Sequence, residues 1–136
     1  MTPVLPVFAN TLEEMLKIPS TGGAGSSGAD GVEIVTLLGN PAEEGAYVQL
    51  LKVQPGVKIQ SHNHAGDRVA TVLKGNWMFG MGTVFDQSDL RVLPPGSVYT
   101  EPSGMAHFGM SSDSLIVVLI SGYGPTNTVY ENHKGK

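Results

Sequence analysis

From Val32 onward, glycine and proline cut the chain into short runs rich in valine, isoleucine, leucine, threonine and tyrosine. VEIVTLL ends at a turn from Asn40 to Gly45, AYVQLLKVQ at Pro55-Gly56, RVATVLK at Gly75-Asn76, and LRVL at Pro94-Pro95-Gly96. WMFGMG, SVYTE, AHFGM, SLIVVLI and TNTVYE complete the series. Runs of this length, each stopped by turn residues, predict about eight to ten strands in a β-sandwich or small barrel. The fold class expected is therefore all-β.

One stretch departs from this pattern. In TLEEMLKI, Thr11 can cap a short helix, Glu13 and Glu14 favour its first turn, and Leu12, Met15 and Leu16 share a face before Pro19 stops it. The segment STGGAGSSGADG from Ser20 to Gly31 is small, polar and glycine-rich, and is expected to be a flexible loop. The organisation expected is an N-terminal helix and loop over residues 1–31 and a single barrel domain over 32–136.

Composition excludes several functions. The chain has no cysteine, so disulfides, thiolate-held zinc, iron–sulfur clusters and a thiol nucleophile are all ruled out. Any metal must be held by nitrogen and oxygen. A net charge of −4, with no gathering of lysine or arginine among aromatics, argues against nucleic acid. The opening residues MTPVLPVFAN lack a basic region and a long apolar run, and no apolar run approaches membrane-spanning length. The expectation is a soluble, cytoplasmic chain; a mature exported one whose signal has been removed would read the same. No nucleophile elbow, phosphate loop or barrel-facing carboxylate pair is present.

What remains is the stretch HNHAGDR, from His62 to Arg68. Side chains two apart in an extended chain point the same way, so His62 and His64 project together in a geometry that can grip one ion. A third histidine, His107, follows a Pro-x-Gly turn in EPSGMAH. Only His133, in the tail, lies outside these segments. A lone His-x-His is more often packed or solvated than ligating, so spacing by itself leaves the matter open.

From Gly56 to Gly75 the chain reads G-x5-H-x-H-x3-R-x6-G, and from Gly96 to Ser111 it reads G-x5-P-x-G-x2-H-x3-S. These resemble the two cupin motifs with every spacing kept, Gly56, His62, His64, Gly75, Gly96, Pro102, Gly104 and His107 falling on motif positions. Arg68 stands where the motif has glutamate and Ser111 where it has asparagine. The resemblance covers roughly residues 32 to 131. With Thr71 to Gly75 after the first motif and Gly122 to Pro125 near the end, the chain is most similar to the small single-domain cupins of the ChrR-like type. It implies a jelly-roll β-barrel with the site in its mouth, typically a homodimer. It also implies that His62, His64 and His107 are candidate ligands of a divalent transition metal: iron, manganese, nickel, zinc or copper.

Arg68 cannot replace the missing carboxylate, because a guanidinium is permanently protonated and has no lone pair to donate. Gln60 is in phase with the two histidines if the strand is regular, and its amide oxygen could approach the ion. Asp67 is the nearest carboxylate; in a regular strand it would face away, but Ala65-Gly66 suggests a bend that leaves its side open. Three readings of Arg68 stand: it binds a substrate carboxylate or enolate; it turns outward to a surface acid such as Asp67; or it marks a barrel without metal. Of the large side chains near the motifs most are expected in the core, with Met105 as first choice for pocket wall and Tyr99 next, as a hydrogen-bond donor. Glu101, just before Pro102 at the start of the second motif, could reach the rim.

The first functional expectation is a three-histidine metal enzyme acting on a small oxygen-rich or anionic molecule. By resemblance it would be dioxygenase-like, with Arg68 orienting the substrate, or an isomerase, lyase or cyclase. The second is a non-catalytic barrel that binds a small ligand, with or without metal.

Overall fold

The structure is a computed structural model, and it describes residues 4–131. His133 and the ends of both expected segments lie outside the described residues. Among the described residues ten strands form two antiparallel sheets. In chain order they are β1 (Val32–Leu38), β2 (Gly45–Val53), β3 (Lys58–Asn63), β4 (Arg68–Lys74), β5 (Trp77–Met81), β6 (Arg91–Leu93), β7 (Val98–Glu101), β8 (His107–Met110), β9 (Ile116–Gly124) and β10 (Val129–Tyr130). One sheet has the order β1-β2-β9-β4-β7 and the other β10-β3-β8-β5-β6.

The sheets face each other across Ile34, Leu51, Val53, Ile59, Ala70, Val72, Trp77, Phe79, Leu93, Ile116, Val118 and Ile120. Alternation along β2 and β4 explains the sorting: Leu51 and Val53, or Ala70 and Val72, point inward as every second residue of a strand must. Further along the same inward rows stand Tyr47, Gln49 and Arg68, so the interior turns polar at one end of the sandwich. That end is the site.

The first sheet is covered on its outer face as well. Helix α1 (Leu12–Leu16), capped by Thr11 in a reciprocal capping box with Glu14, lays Leu12, Met15 and Leu16 near Val35, Leu50 and Val117. Burial on both faces is why β9 reads as the unbroken apolar run Ile116–Ile120 instead of alternating. The glycine-rich segment after the helix has no regular structure, as its composition suggests, yet it lies against the barrel. Gly25 and Ser27 are buried, Gln49 Nε2 donates to the Ala24 carbonyl at 3.1 Å, and the Tyr130 hydroxyl donates to the Ser27 carbonyl. Among the described residues no helix is long and apolar enough to cross a membrane.

Candidate metal centre

His62 ends its inward path on β3, His64 lies just beyond that strand, and His107 opens β8. His62 and His107 are direct partners across the β3–β8 pairing. The three ring centroids lie 4.4 to 5.1 Å apart, and the ligand atoms of all three fall within 4.8 Å of one another. Each ring is fixed from behind. His62 Nδ1 pairs with the Gln60 carbonyl at 2.7 Å, His64 Nδ1 with the Asn127 carbonyl at 2.7 Å, and His107 Nδ1 with the Met105 carbonyl at 3.3 Å. A carbonyl can only accept, so each Nδ1 carries the proton and each Nε2 keeps its lone pair for the interior. His107 Nε2 is buried and makes no hydrogen bond.

Electrostatics favour the same state. Burial, with the neighbouring His107 second, lowers His62 to about 4. Burial and then the Arg68 guanidinium lower His64 to about 3. His107 is also lowered, burial outweighing the opposite pull of Glu101. All three imidazoles are neutral at pH 7, the form that binds a metal.

A buried carboxylate stands on the strand adjacent to the first motif. Arg68 on β4 pairs in register with Glu101 on β7. Both side chains are buried, and Arg68 Nε donates to Glu101 Oε1 at 2.8 Å. The Glu101 oxygens lie 3.8 Å from His64 Nε2 and 3.3 Å from His107 Nε2. Burial, the largest influence on Glu101, acts to raise its pKa; Arg68, then His107 and His64, more than offset this and hold it below the ordinary glutamate value. Glu101 is therefore an ionised carboxylate at the centre of the site. Arg68 faces inward, and the alternative in which it turns out towards Asp67 does not occur. Asp67 is exposed and accepts from the Ser103 backbone amide.

Other expected site residues fall differently. Gln60 is exposed, because a bulge between Ile59 and His62 puts two residues opposite one and shifts the parity on which its inward position depended. Its contribution is the carbonyl that orients His62. Met105 is half-exposed and does not line the cavity, since it lies in the turn before β8 where strand alternation does not apply. Tyr99 does line it, its ring 4.2 Å from that of Phe79, but its hydroxyl accepts from the Trp77 indole at 3.1 Å. Burial holds that phenol well above its ordinary pKa. Ser111, at the motif's asparagine position, is structural: its hydroxyl accepts from the Val57 amide and donates to the Gln54 carbonyl.

The segment Thr126–Thr128 had no sequence signal as part of the site. Thr126 donates to the Ala65 carbonyl, Asn127 Oδ1 accepts from the Ala65 amide, and the Asn127 carbonyl and Thr128 hydroxyl hold His64. The cavity over the histidines measures about 20 Å³, space for an ion or one water, and Gly25 and Ser27 are among the residues that line it. Its other walls include Leu51, Ile59, Trp77, Phe79 and Phe108.

Three neutral imidazoles and one ionised carboxylate make a donor set suited to a divalent first-row metal. The comparisons with known proteins agree on the fold around it. The DMSP lyase DddQ from Ruegeria pomeroyi is 22% identical with a TM-score of 0.67, over 82% of this chain and 59% of that one. An oxalate oxidase is 18% identical with a TM-score of 0.60, over 89% of this chain and 68% of that one. A cupin sugar phosphate isomerase from Silicibacter pomeroyi is 22% identical with a TM-score of 0.56, over 70% and 60% of the two chains. The chain thus spans about half to two thirds of the first solved structures it resembles. No curated protein matches the sequence. The family model of the ChrR cupin-like domain matches residues 25–126, from the glycine-rich segment over the cavity to the threonine that braces the first motif, and the chain belongs to that family.

Proposed function

We propose that the protein is a metal-dependent enzyme acting on a small, anionic, oxygen-rich molecule, with His62, His64, His107 and Glu101 holding one divalent transition metal. The observation that carries this reading is the convergence of three Nδ1-anchored imidazoles on one another, with the buried Glu101 carboxylate within 4 Å of His64 Nε2 and His107 Nε2. Such an ion supplies Lewis acidity and, when it is iron, manganese or copper, one-electron chemistry. Arg68 keeps Glu101 ionised and adds a fixed positive charge that favours an anionic substrate. Glu101 Oε2, close to His107 Nε2, is also placed to accept and return a proton. Trp77, Phe79, Leu51 and Ile59 keep bulk water from the centre.

The structural neighbours are described as a lyase, an oxidase and an isomerase, so reaction type is left at two classes, dioxygenase-like oxidation or isomerase, lyase and cyclase chemistry. A homodimer is part of the proposal. The second reading, a non-catalytic ligand-binding barrel, draws on the small volume of the cavity, about 20 Å³, and on its largely apolar walls. The test is a panel of hydroxy, oxo and dicarboxylic acids incubated with protein reconstituted with each metal, reading oxygen uptake and product. Turnover that falls at least a hundredfold in His62→Ala supports the enzyme; saturable binding without turnover across the panel supports the barrel.

A further inference from the structure

Beside the metal centre, three buried polar atoms have no hydrogen-bond partner: Arg68 Nη1, Tyr47 Oη and Gln49 Oε1. Leaving such groups unpaired is costly, most of all for a charged one, so they are an unusual feature to find together. They are also neighbours. Tyr47 on β2 is the register partner of Gly122 on β9, which is the partner of Arg68 on β4, which is the partner of Glu101 on β7. Gly122 has no side chain, and a Cβ there would lie 2.6 Å from the Tyr47 hydroxyl. The phenol therefore leans across the glycine towards Arg68. Gln49, two residues along β2, faces the same interior.

Gly25 seals this row. A Cβ on it would lie 2.8 Å from Gln49 Oε1 and 3.4 Å from Arg68 Nη1, so its backbone sits directly over both. Its φ of +83° places it in the left-handed region, where glycine alone is at ease. Arg68 meets Glu101 through Nε, not through the two-pronged Nη face that a guanidinium ordinarily offers an anion, and so keeps Nη1 for a second one.

We infer that Arg68 Nη1, Tyr47 Oη and Gln49 Oε1 form a recognition subsite for a small 2-hydroxycarboxylate, which takes the place of the Gly25 backbone. The carboxylate accepts from Arg68 and Tyr47, and the ligand's hydroxyl donates to Gln49 Oε1, satisfying two donors and one acceptor together. Entry requires the Ala24–Ser27 segment to lift, breaking the bonds from Gln49 Nε2 to Ala24 and from Tyr130 to Ser27. The inference rests on the proposed reading for its substrate class, but not on metal for binding.

Glycolate is the probe, titrated calorimetrically into metal-free and metal-loaded protein, with acetate lacking the hydroxyl and glycolamide lacking the charge. Glycolate is expected to bind metal-free protein, acetate about tenfold more weakly, and glycolamide about a hundredfold more weakly. Tyr47→Phe removes an unpaired hydroxyl, so it is expected to leave thermal stability unchanged or raised while weakening glycolate at least about tenfold. Arg68→Gln should abolish binding; because it can also unfold the chain, Tyr47→Phe carries the decision. No glycolate binding to folded metal-free protein, or equal binding by Tyr47→Phe, overturns the subsite even if metal loads normally. Glycolate binding in a protein that takes up no metal keeps the subsite and rejects the metal reading.

Discussion

Arg68→Met is expected to lower the unfolding free energy by about 3–5 kcal/mol, among the largest effects of any single substitution in this chain. Arg68 and Glu101 are both buried and joined at 2.8 Å, so removing the guanidinium leaves an uncompensated carboxylate inside the barrel. Glu101→Met is expected to cost a similar amount by isolating the guanidinium. The informative variant is the exchange, Arg68→Glu with Glu101→Arg. It keeps one charge of each sign on the same register pair and restores glutamate at the position where the cupin motif has it. The exchange should recover more than half of the stability lost in either single variant, measured by urea unfolding, and should retain metal. An Arg68→Met protein within about 1 kcal/mol of the parent would mean that water screens the pair and that the buried ion pair described above is wrong.

Acid should destabilise the metal-free protein well before ordinary acid unfolding. His62 and His64 are held at about 4 and about 3 in the folded state against an ordinary histidine value of 6.5, with His107 lowered too. Between those values the unfolded chain binds more protons than the native one, so stability rises with pH in that window. It is complete above about 6.5 and is lost progressively as pH falls towards 4. A histidine held near 4 contributes on the order of 3 kcal/mol once the full window is crossed. Glu101, also lowered, extends the same trend below 4.5. Metal-free protein should therefore be at least about 3 kcal/mol less stable at pH 5 than at pH 7.5, and the slope should flatten in His62→Asn with His64→Asn. A profile flat from 7.5 to 5 would place these imidazoles in contact with water.

Much of this arrangement was legible in the sequence because it depends on local pattern. Val32–Leu38 and Arg68–Lys74 begin and end where their runs do, since turn residues bound them on both sides. The histidine positions follow from motif spacing. The misreadings share one cause, which is that strand parity holds only while a strand is regular. The bulge at Gln60 and Ser61 moved Gln60 outward, and the turn before β8 removed Met105 from the wall. Glu101 carried a signal that was available: in SVYTE it alternates with Tyr99, and an inward arginine in a low-dielectric interior requires a countercharge. What the sequence does not state is that β7 lies beside β4, the non-local pairing that brings Glu101 to Arg68. The position of the glycine-rich segment was not legible for a related reason. Its composition records chain freedom, whereas its position is set by polar groups on distant strands, Gln49 and Tyr130, that bond its carbonyls. The run TNTVYE yields only Val129–Tyr130 as strand because the residues before it wrap the first motif and hold His64.

The most direct test of the metal centre is elemental analysis of protein purified without a histidine tag, alongside His62→Ala, His107→Ala and Glu101→Gln. The expected result is close to one transition-metal ion per chain in the parent, none in either histidine variant, and a weakened, readily chelated ion in Glu101→Gln. A parent protein that carries no metal and takes up none from ferrous or zinc salts would contradict the account.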